Sequence, residues 1–241
     1  MTRTDNALRD VLDAMLADVE LLIRLHGQEL DREVLNSLAA APARSWFALS
    51  LDRSDADTGF DLLDEFFKEG ENLARQQELL AVEYADFYLT FGKRVAPNES
   101  YWLTEDHIER QDPMFVVRDW YAHYGLQARN WRMLADDHLV SELSFVAALL
   151  KDGREHALLD AGRFLDKHLL LWSHDFFAGV ASRADTRFYA GLAVVSEVLL
   201  QTIRDTLAEL TGESRIAVPL AKIASVEDDE TTFAPGAAPG W

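Results

Sequence analysis

The sequence predicts an all-α protein, and three observations support this prediction. Apolar residues recur every three or four positions along most of the chain, which is the period of a helix with one buried face. Runs in which apolar and polar residues alternate strictly, as in half-buried strands, are missing from the sequence. Capping residues, glycines and prolines stand where the apolar periodicity stops. We therefore expect a bundle of about nine to eleven helices.

The first two helices are predicted near the N-terminus. An apolar stripe indicates the first of them. Asp31 can cap the second, over 32–40, and Pro42 then breaks it. The stripe of the first helix consists of Leu8, Val11, Leu12, Met15, Val19 and Leu22.

A long helical segment is predicted over 60–91. We expect Gly59 to open it and Gly92 to close it, with Gly70 as a candidate interruption.

A loop over 93–112 follows this segment. Pro97 and Pro113 bracket the loop, and Pro113 suits the first turn of a helix that runs to about Gly125.

Three further helices are predicted in the C-terminal half. Asp136 or Asp137 can cap the first, Gly153 separates it from the second, and Gly212 follows the third. Their apolar stripes are Leu139, Leu143, Val146 and Leu150; Leu158, Ala161, Leu165, Leu169 and Trp172; and Phe188, Leu192, Val195, Leu199, Ile203, Leu207 and Leu210.

Composition favours a globular protein of the cytoplasm. The chain has 241 residues, of which 49% are hydrophobic, and it has no cysteine, which excludes disulfides, thiolate metal sites and cysteine nucleophiles. The N-terminal sequence is already an amphipathic helix rather than an export signal, and apolar runs are far shorter than the roughly 18 residues of a membrane span. Residues 213–241 are acidic and then rich in Pro, Gly and Ala, so we expect a flexible, disordered tail.

The net charge of −19 narrows the range of partners. A negative field repels phosphate backbones, so we do not expect nucleic-acid binding. The same field attracts a basic ligand, including a peptide that carries arginines. The alternative is that the acidic surface serves only solubility.

No motif in the sequence predicts catalysis. Phosphate-binding glycine loops and the nucleophile elbow of serine hydrolases are missing. Asp137, His138 and Glu142 could supply two or three metal ligands, because His138 and Glu142 lie four apart on a helix. However, the Glu-x-x-His spacing of di-iron bundles is missing, and acids at a helix N-terminus suit its unpaired N–H groups. We predict no catalytic residue, metal or cofactor, and keep a metal site as an alternative.

Two groups of aromatic residues flank the predicted loop. The group on the preceding helix shares one face and is expected to be mostly core, above all Phe87 and Phe91. Tyr101 and Trp102 lie within the loop and are better candidates for ligand contacts. Aromatic side chains beside carboxylates suit a peptide with both apolar and arginine residues. The helix group is Tyr84, Phe87, Tyr88 and Phe91.

Four motifs in order carry a family resemblance. EYADFYLTFG at 83–92 precedes PNESY at 97–101, in the manner of E-x-x-x-L-F before P-x-x-E-S-x-Y. ADDHLVSELSF at 135–145 is similar to P-D-H-[LI]-x-x-E-[LF]-x-F, although Ala135 replaces the proline and Asp136 is added. In the PNESY segment, Asn98 stands where an aromatic residue is common. FLDKHLLLW and FYAGLA are similar to F-L-x-x-H-L-x-x-W and F-Y-x-x-L-A. Over about residues 10–205, the chain resembles the TorD/DmsD family of redox-enzyme maturation chaperones.

The resemblance implies a TorD-like cytoplasmic chaperone for the precursor of a molybdoenzyme catalytic subunit. It would bind the basic twin-arginine signal peptide, assist insertion of the molybdopterin cofactor and delay export. It also implies one helical domain over 1–212, with packed portions at about 1–130 and 137–212, a hinge at about 126–136, and a monomer or a domain-swapped homodimer. The residues assigned to precursor binding are Asp137, His138, Glu99, Ser100, Tyr101, Trp102, Pro97, Glu142, Tyr84 and Tyr88.

Two other functions stay open at this point. One is a helical metal-binding protein or enzyme centred on Asp137, His138 and Glu142. The other is a non-catalytic helical scaffold. The sequence does not identify the client enzyme.

Overall fold

The computed structural model describes residues 3–69, 72–128 and 134–216. Within these ranges the chain forms ten α-helices and no β-strand, which confirms the all-α prediction. The helices are α1 (Arg3–Gly27), α2 (Arg32–Ala39), α3 (Ser54–Glu69), α4 (Leu73–Tyr84), α5 (Glu99–Leu103), α6 (Asp112–His123), α7 (Leu139–Asp152), α8 (Glu155–Phe164), α9 (Leu170–Arg183) and α10 (Arg187–Thr211).

Shorter helical turns extend or connect these helices. A 3₁₀ turn, Ala43–Trp46, lies between α2 and α3. A π-helical turn, Ala85–Leu89, extends α4, and a second one, Leu165–Leu169, joins α8 to α9 in one continuous helix. None of the helices in the described ranges is both long and apolar enough to cross a membrane.

The core is built by pairing helices that are distant in the sequence. The central helix α10 packs against α3, α8 and α9, and α1 packs along α7. A single cluster of buried apolar side chains runs through all of these helices. Helices of the first and second halves of the chain therefore share one core.

Several helix boundaries follow the predicted signals. Asp31 caps α2 and accepts a hydrogen bond from Val34 N at 2.9 Å. Pro113 lies in the first turn of α6. Gly153 and Gly212 end α7 and α10 in the left-handed conformation, with φ of 67° and 73°, where an L side chain would be strained.

Two of the glycine predictions are wrong. Gly59 lies inside α3 instead of opening a helix, because α3 and α10 approach closely there. Gly92 does not close the segment, since the helical turns stop at Leu89 and the chain reverses through Phe91, whose φ is 58°. Gly70 lies outside the described residues.

The predicted loop and the predicted cap of α7 also need correction. The loop over 93–112 contains a short helix, α5. The cap of α7 is His138 rather than Asp136 or Asp137, and its Nδ1 accepts a hydrogen bond from Val140 N at 3.1 Å. The two aspartate side chains have other partners: Asp137 accepts hydrogen bonds from Ser100, and Asp136 pairs with Arg118.

Two other predicted segments are only partly described. The first residues of the predicted tail, 213–216, are hydrogen bonded to the helical body: Ile216 N–H donates to Asp166 Oδ2 at 2.7 Å, and Glu213 pairs with Arg163 at 2.9 Å. Residues 217–241, and residues 129–133 of the predicted hinge, lie outside the described part of the chain.

Candidate functional site

The first two motifs meet in the fold although they lie about 40 residues apart in the sequence. An isolated antiparallel bridge joins them. Glu99 N–H donates to Asp137 O at 2.9 Å, and Leu139 N–H donates to Pro97 O at 2.8 Å. The bridge places the start of α5 directly against the start of α7.

The Asp137 side chain holds the start of α5. Ser100 N–H donates to Asp137 Oδ2 at 2.8 Å, and Ser100 Oγ makes a second, short hydrogen bond to the same oxygen. Ser100 Oγ also accepts a hydrogen bond from Gln111 N at 3.1 Å, which ties down the loop after α5. Asp137 and Ser100 are completely buried. Asp137 therefore positions the loop from within.

A cluster of buried polar side chains lies next to this bridge. Glu99 Oε1 lies 3.1 Å from His168 Nδ1, and Trp172 Nε1–H donates to Glu142 Oε2 at 3.2 Å. Burial raises the pKa of Glu142 well above its ordinary value, and the carboxylates of Glu99 and Asp137 raise it further. The cluster brings together the first, second and third motifs.

His138 is buried beside the bridge and is neutral. Burial lowers its pKa to about 3. Its Nδ1 accepts the backbone hydrogen bond that caps α7, so the neutral ring carries its proton on Nε2. This arrangement makes His138 a structural cap.

The tyrosines of the first motif belong to the core. Tyr84 and Tyr88 stack with ring centroids 4.9 Å apart, and Tyr88 lies 6.3 Å from Tyr189 of the fourth motif. Tyr88 Oη lies 2.6 Å from Nδ1 of His26, whose pKa burial lowers to about 3. The fourth motif thus packs against the first through aromatic rings.

Most of the ten predicted binding residues are therefore inside the protein. Asp137, Ser100 and His138 hold the loop and the start of α7, whereas Tyr84 and Tyr88 belong to the core. Tyr101 and Trp102 differ, because each is partly exposed. The buried ones are Tyr84, Tyr88, Pro97, Glu99, Ser100, Asp137, His138 and Glu142.

The metal alternative has no support in this geometry. Asp137, His138 and Glu142 each bind a different partner: Ser100, the backbone of α7, and Trp172. Among the described residues, no group of three His, Asp or Glu side chains is placed to hold a metal ion.

The exposed side of the loop carries aromatic rings. Tyr101 contacts Phe91, Trp102 and His107, with ring centroids 5.2, 5.2 and 5.3 Å apart. Phe91, which we expected to be mostly core, is 43% exposed, whereas Phe87 is buried as predicted. Phe91 is exposed because the chain reverses at this residue.

The backbone of this loop is unusual. Four residues other than glycine have positive φ, between 50° and 62°: Phe91, Arg94, His107 and Arg110. L-residues adopt this conformation rarely and at some cost. The contacts made by Asp137 and Ser100 help to hold the loop in this shape.

Three apolar residues on α6 or just before it are exposed and were not predicted to form part of the site: Ile108 (54% exposed), Phe115 (50%) and Val116 (48%). Phe115 and Val116 lie on α6 but outside the buried stripe of that helix. An apolar residue outside the stripe of its own amphipathic helix is the signal that could have identified them.

A surface cleft in the described part of the chain lies away from this site. It has a volume of about 490 Å³ and is lined by the end of α3, the start of α4 and the start of α10, including Phe66, Gln76 and Leu79. None of the ten predicted residues lines it.

Comparisons with known proteins agree with the motifs. Residues 52–178, just over half of the chain, match the model of the family described as nitrate reductase delta subunit, and this range includes the first three motifs. The chain is also 27% identical over 186 residues to the chaperone protein TorD of Shewanella loihica, an alignment that covers 74% of this chain and 85% of that protein. The chain therefore belongs to the nitrate reductase delta subunit family, which includes the TorD/DmsD maturation chaperones.

Proposed function

We propose that this protein is a cytoplasmic chaperone for the precursor of a molybdoenzyme catalytic subunit. It binds the apo-precursor and its twin-arginine signal peptide, keeps the apoprotein competent for molybdopterin insertion, and delays export until the cofactor is in place. It acts by binding and carries out no reaction of its own. Family membership is the observation that most strongly supports this proposal.

The charge of the protein suits this role. A net charge of −19 creates a field that attracts a peptide carrying adjacent arginines and speeds its encounter with the protein. The same field disfavours nucleic acids. Binding of the peptide should therefore weaken as the salt concentration rises.

The ten candidate residues divide into two roles in this proposal. Tyr101 and Trp102 are partly exposed and contact the peptide directly. The buried residues position the loop, as Asp137 does when it accepts the hydrogen bonds of Ser100. Substitution of Asp137 by alanine then weakens peptide binding indirectly, whereas Asp137→Asn keeps an acceptor for Ser100 N–H and retains more of the affinity.

Affinity purification from the native cytoplasm tests the function. The tagged chaperone, purified from cells that express molybdoenzymes, should recover one catalytic subunit in its apo form. Titration with a synthetic peptide that carries two adjacent arginines should show binding that weakens with salt, and an Arg-Arg→Gln-Gln peptide should bind less tightly. Recovery of no molybdoenzyme, together with no binding of the arginine peptide, would instead favour the scaffold function.

A further inference from the structure

Helix α6 has one face in the core and one face in solvent. Met114, Val117, Trp120 and Tyr121 are between 0% and 7% exposed and bind the helix to the core. They fall on one side of the helix, as the helical period requires. Burial of this face holds α6 against the core, and the opposite face lies in solvent.

The solvent face of α6 is not an ordinary polar surface. Asp112, Phe115, Val116 and Asp119 are exposed and follow one another at steps of three, one and three, so they lie together on the outer side of the helix. Two apolar side chains thus stand between two carboxylates, each about one turn away. Apolar side chains of this size, half exposed on a helix that already has a buried stripe, indicate a surface that a partner covers.

The loop that leads into α6 carries a further exposed apolar residue. Ile108 is 54% exposed and lies three residues before Gln111, the residue that precedes α6. Gln111 N–H donates to Ser100 Oγ at 3.1 Å, and α5 packs against α6. The buried Asp137–Ser100 contact therefore fixes the position of this surface as well as that of Tyr101.

The charge around the outer face of α6 indicates the chemistry of a partner that could bind there. The segment 105–119 has five acidic and two basic residues. One of the basic residues, Arg118, is already used within the protein: it pairs with Asp136 at 2.7 Å, and its guanidinium lies 5.1 Å from the centroid of the Phe115 ring. The Phe115 ring therefore already has the Arg118 guanidinium as a neighbour, and that guanidinium pairs with the Asp136 carboxylate. A partner with arginines beside apolar residues would make the same kinds of contact.

The alternatives fit less well. A second copy of this chain placed face to face across a two-fold axis would bring Asp112 and Asp119 against the same carboxylates of its partner. A phosphate-bearing partner would meet the same negative charge.

We propose that the outer face of α6, formed by Asp112, Phe115, Val116 and Asp119 together with Ile108, docks the segment of the precursor's signal peptide in which adjacent arginines precede an apolar stretch. The apolar stretch covers Phe115 and Val116, and the arginines pair with Asp112 and Asp119. This inference rests on the proposed function, because it names the surface that carries out the peptide binding proposed above.

A single introduced cysteine can test contact at this face, because the natural chain has no cysteine. Val116→Cys and, as a matched control, Val82→Cys on α4, where Val82 is 66% exposed, are each labelled with an environment-sensitive fluorophore. The probe is a synthetic peptide with two adjacent arginines followed by about twelve apolar residues. We expect a saturable change in emission from the label at 116 and none from the label at 82.

Affinity measurements complete the test. In isothermal titration with the same peptide, the double variant Phe115→Ser/Val116→Ser should bind about tenfold more weakly than the natural chain, because it loses two apolar contacts. The control Leu79→Ser/Val82→Ser should bind within about twofold of it. The double variant Asp112→Asn/Asp119→Asn should weaken binding and reduce its dependence on salt. All of these side chains are exposed, so thermal unfolding should confirm that each variant is folded.

The outcomes separate the two proposals. If the natural chain binds the arginine peptide but the α6 serine variant binds it equally well and the label at 116 is silent, the α6 face is not the docking surface, and the proposed function stands. If the natural chain does not bind the peptide at all, signal-peptide binding itself is wrong, and the α6 proposal fails with it.

Discussion

The carboxyl group of Glu142 lies in a buried environment that contains two other carboxyl groups, those of Glu99 and Asp137. In the unfolded chain Glu142 has its ordinary pKa of 4.5, and in the folded protein that pKa is raised well above this value. Above about pH 4.5 the folded state therefore binds more protons than the unfolded state. The contribution of Glu142 to stability is largest at acidic pH and declines as the pH rises above 4.5.

We predict that Glu142→Gln makes the protein less sensitive to alkaline pH. Glutamine has the shape of the protonated glutamic acid and can accept the Trp172 hydrogen bond, but it cannot ionise. The variant should equal the natural chain in stability near pH 5. As the pH rises, the free energy of unfolding of the variant should then exceed that of the natural chain by at most about 1.4 kcal/mol more per pH unit. Urea unfolding between pH 5 and 8.5 measures this difference.

Glu142→Ala is the control for this experiment. It removes the acceptor for Trp172 Nε1–H and leaves a cavity, so its free energy of unfolding should lie about 2–4 kcal/mol below that of Glu142→Gln at every pH. A stability difference between Glu142→Gln and the natural chain that did not change with pH would show that Glu142 ionises normally in the folded state.

At the scale of helices, the contact between α3 and α10 depends on two glycines that face each other. A Cβ atom added at Gly191 would lie 2.6 Å from the carbonyl oxygen of Gly59, and one added at Gly59 would lie 3.0 Å from the carbonyl oxygen of Gly191. Both obstacles are backbone atoms, which cannot rotate away. Glycine at these positions allows the two helices to approach closely.

We predict that Gly191→Ala lowers the free energy of unfolding by about 1–3 kcal/mol, because it forces α3 and α10 apart. The loss should occur although alanine is the better helix former by about 1 kcal/mol. Gly162→Ala in α8 is the matched control, since a Cβ there would meet the nearest atom, Arg204 Cζ, at an ordinary 3.5 Å.

Urea or thermal unfolding of the two variants checks this prediction. The control should be neutral or slightly stabilising, because it gains helix propensity without a clash. Equal stability of Gly191→Ala and Gly162→Ala would mean that α3 and α10 can separate without cost.

At the scale of the whole molecule, the end of the described chain is held by a buried ion pair. Arg204 of α10 donates two hydrogen bonds to Asp166, at 2.8 and 2.7 Å, and both side chains are buried. Asp166 Oδ2 also accepts the hydrogen bond from Ile216 N at 2.7 Å, and Glu213 pairs with Arg163. The residues just after α10 therefore add a further hydrogen bond to a buried ion pair and a second ion pair beside it.

We predict that a chain ending at residue 216 is as stable as the full chain, whereas one ending at residue 211 is less stable by about 1–3 kcal/mol. The shorter chain loses the hydrogen bond to Asp166 and the ion pair with Arg163. Thermal unfolding of the two truncated chains measures the difference. Equal stability would place the start of the tail at 212, directly after α10.

Part of the candidate site could be predicted from the sequence. The structure pairs the PNESY segment with the Asp137–His138 segment, which the sequence had grouped together, and their role in precursor binding stays a prediction. The burial of Glu99, Asp137 and Glu142 could not be predicted, because the local sequence does not show whether an acidic residue near a helix end faces solvent or the end of another helix. The exposure of Phe115 had a signal in the sequence, because Phe115 lies outside the apolar stripe of its helix, but an apolar residue on a helix is most often core.

The sequence by itself determined the helical class, the caps at Asp31, Gly153 and Gly212, the negative charge and the family. These properties depend on local periodicity, on composition and on short motifs, which can be read without knowing what each helix touches. Only the tertiary structure decided which motif residues hold the loop from inside and which face of α6 remains in solvent. Those properties depend on contacts between residues far apart in the chain, such as Ser100 with Asp137, and a single sequence carries no direct record of such contacts.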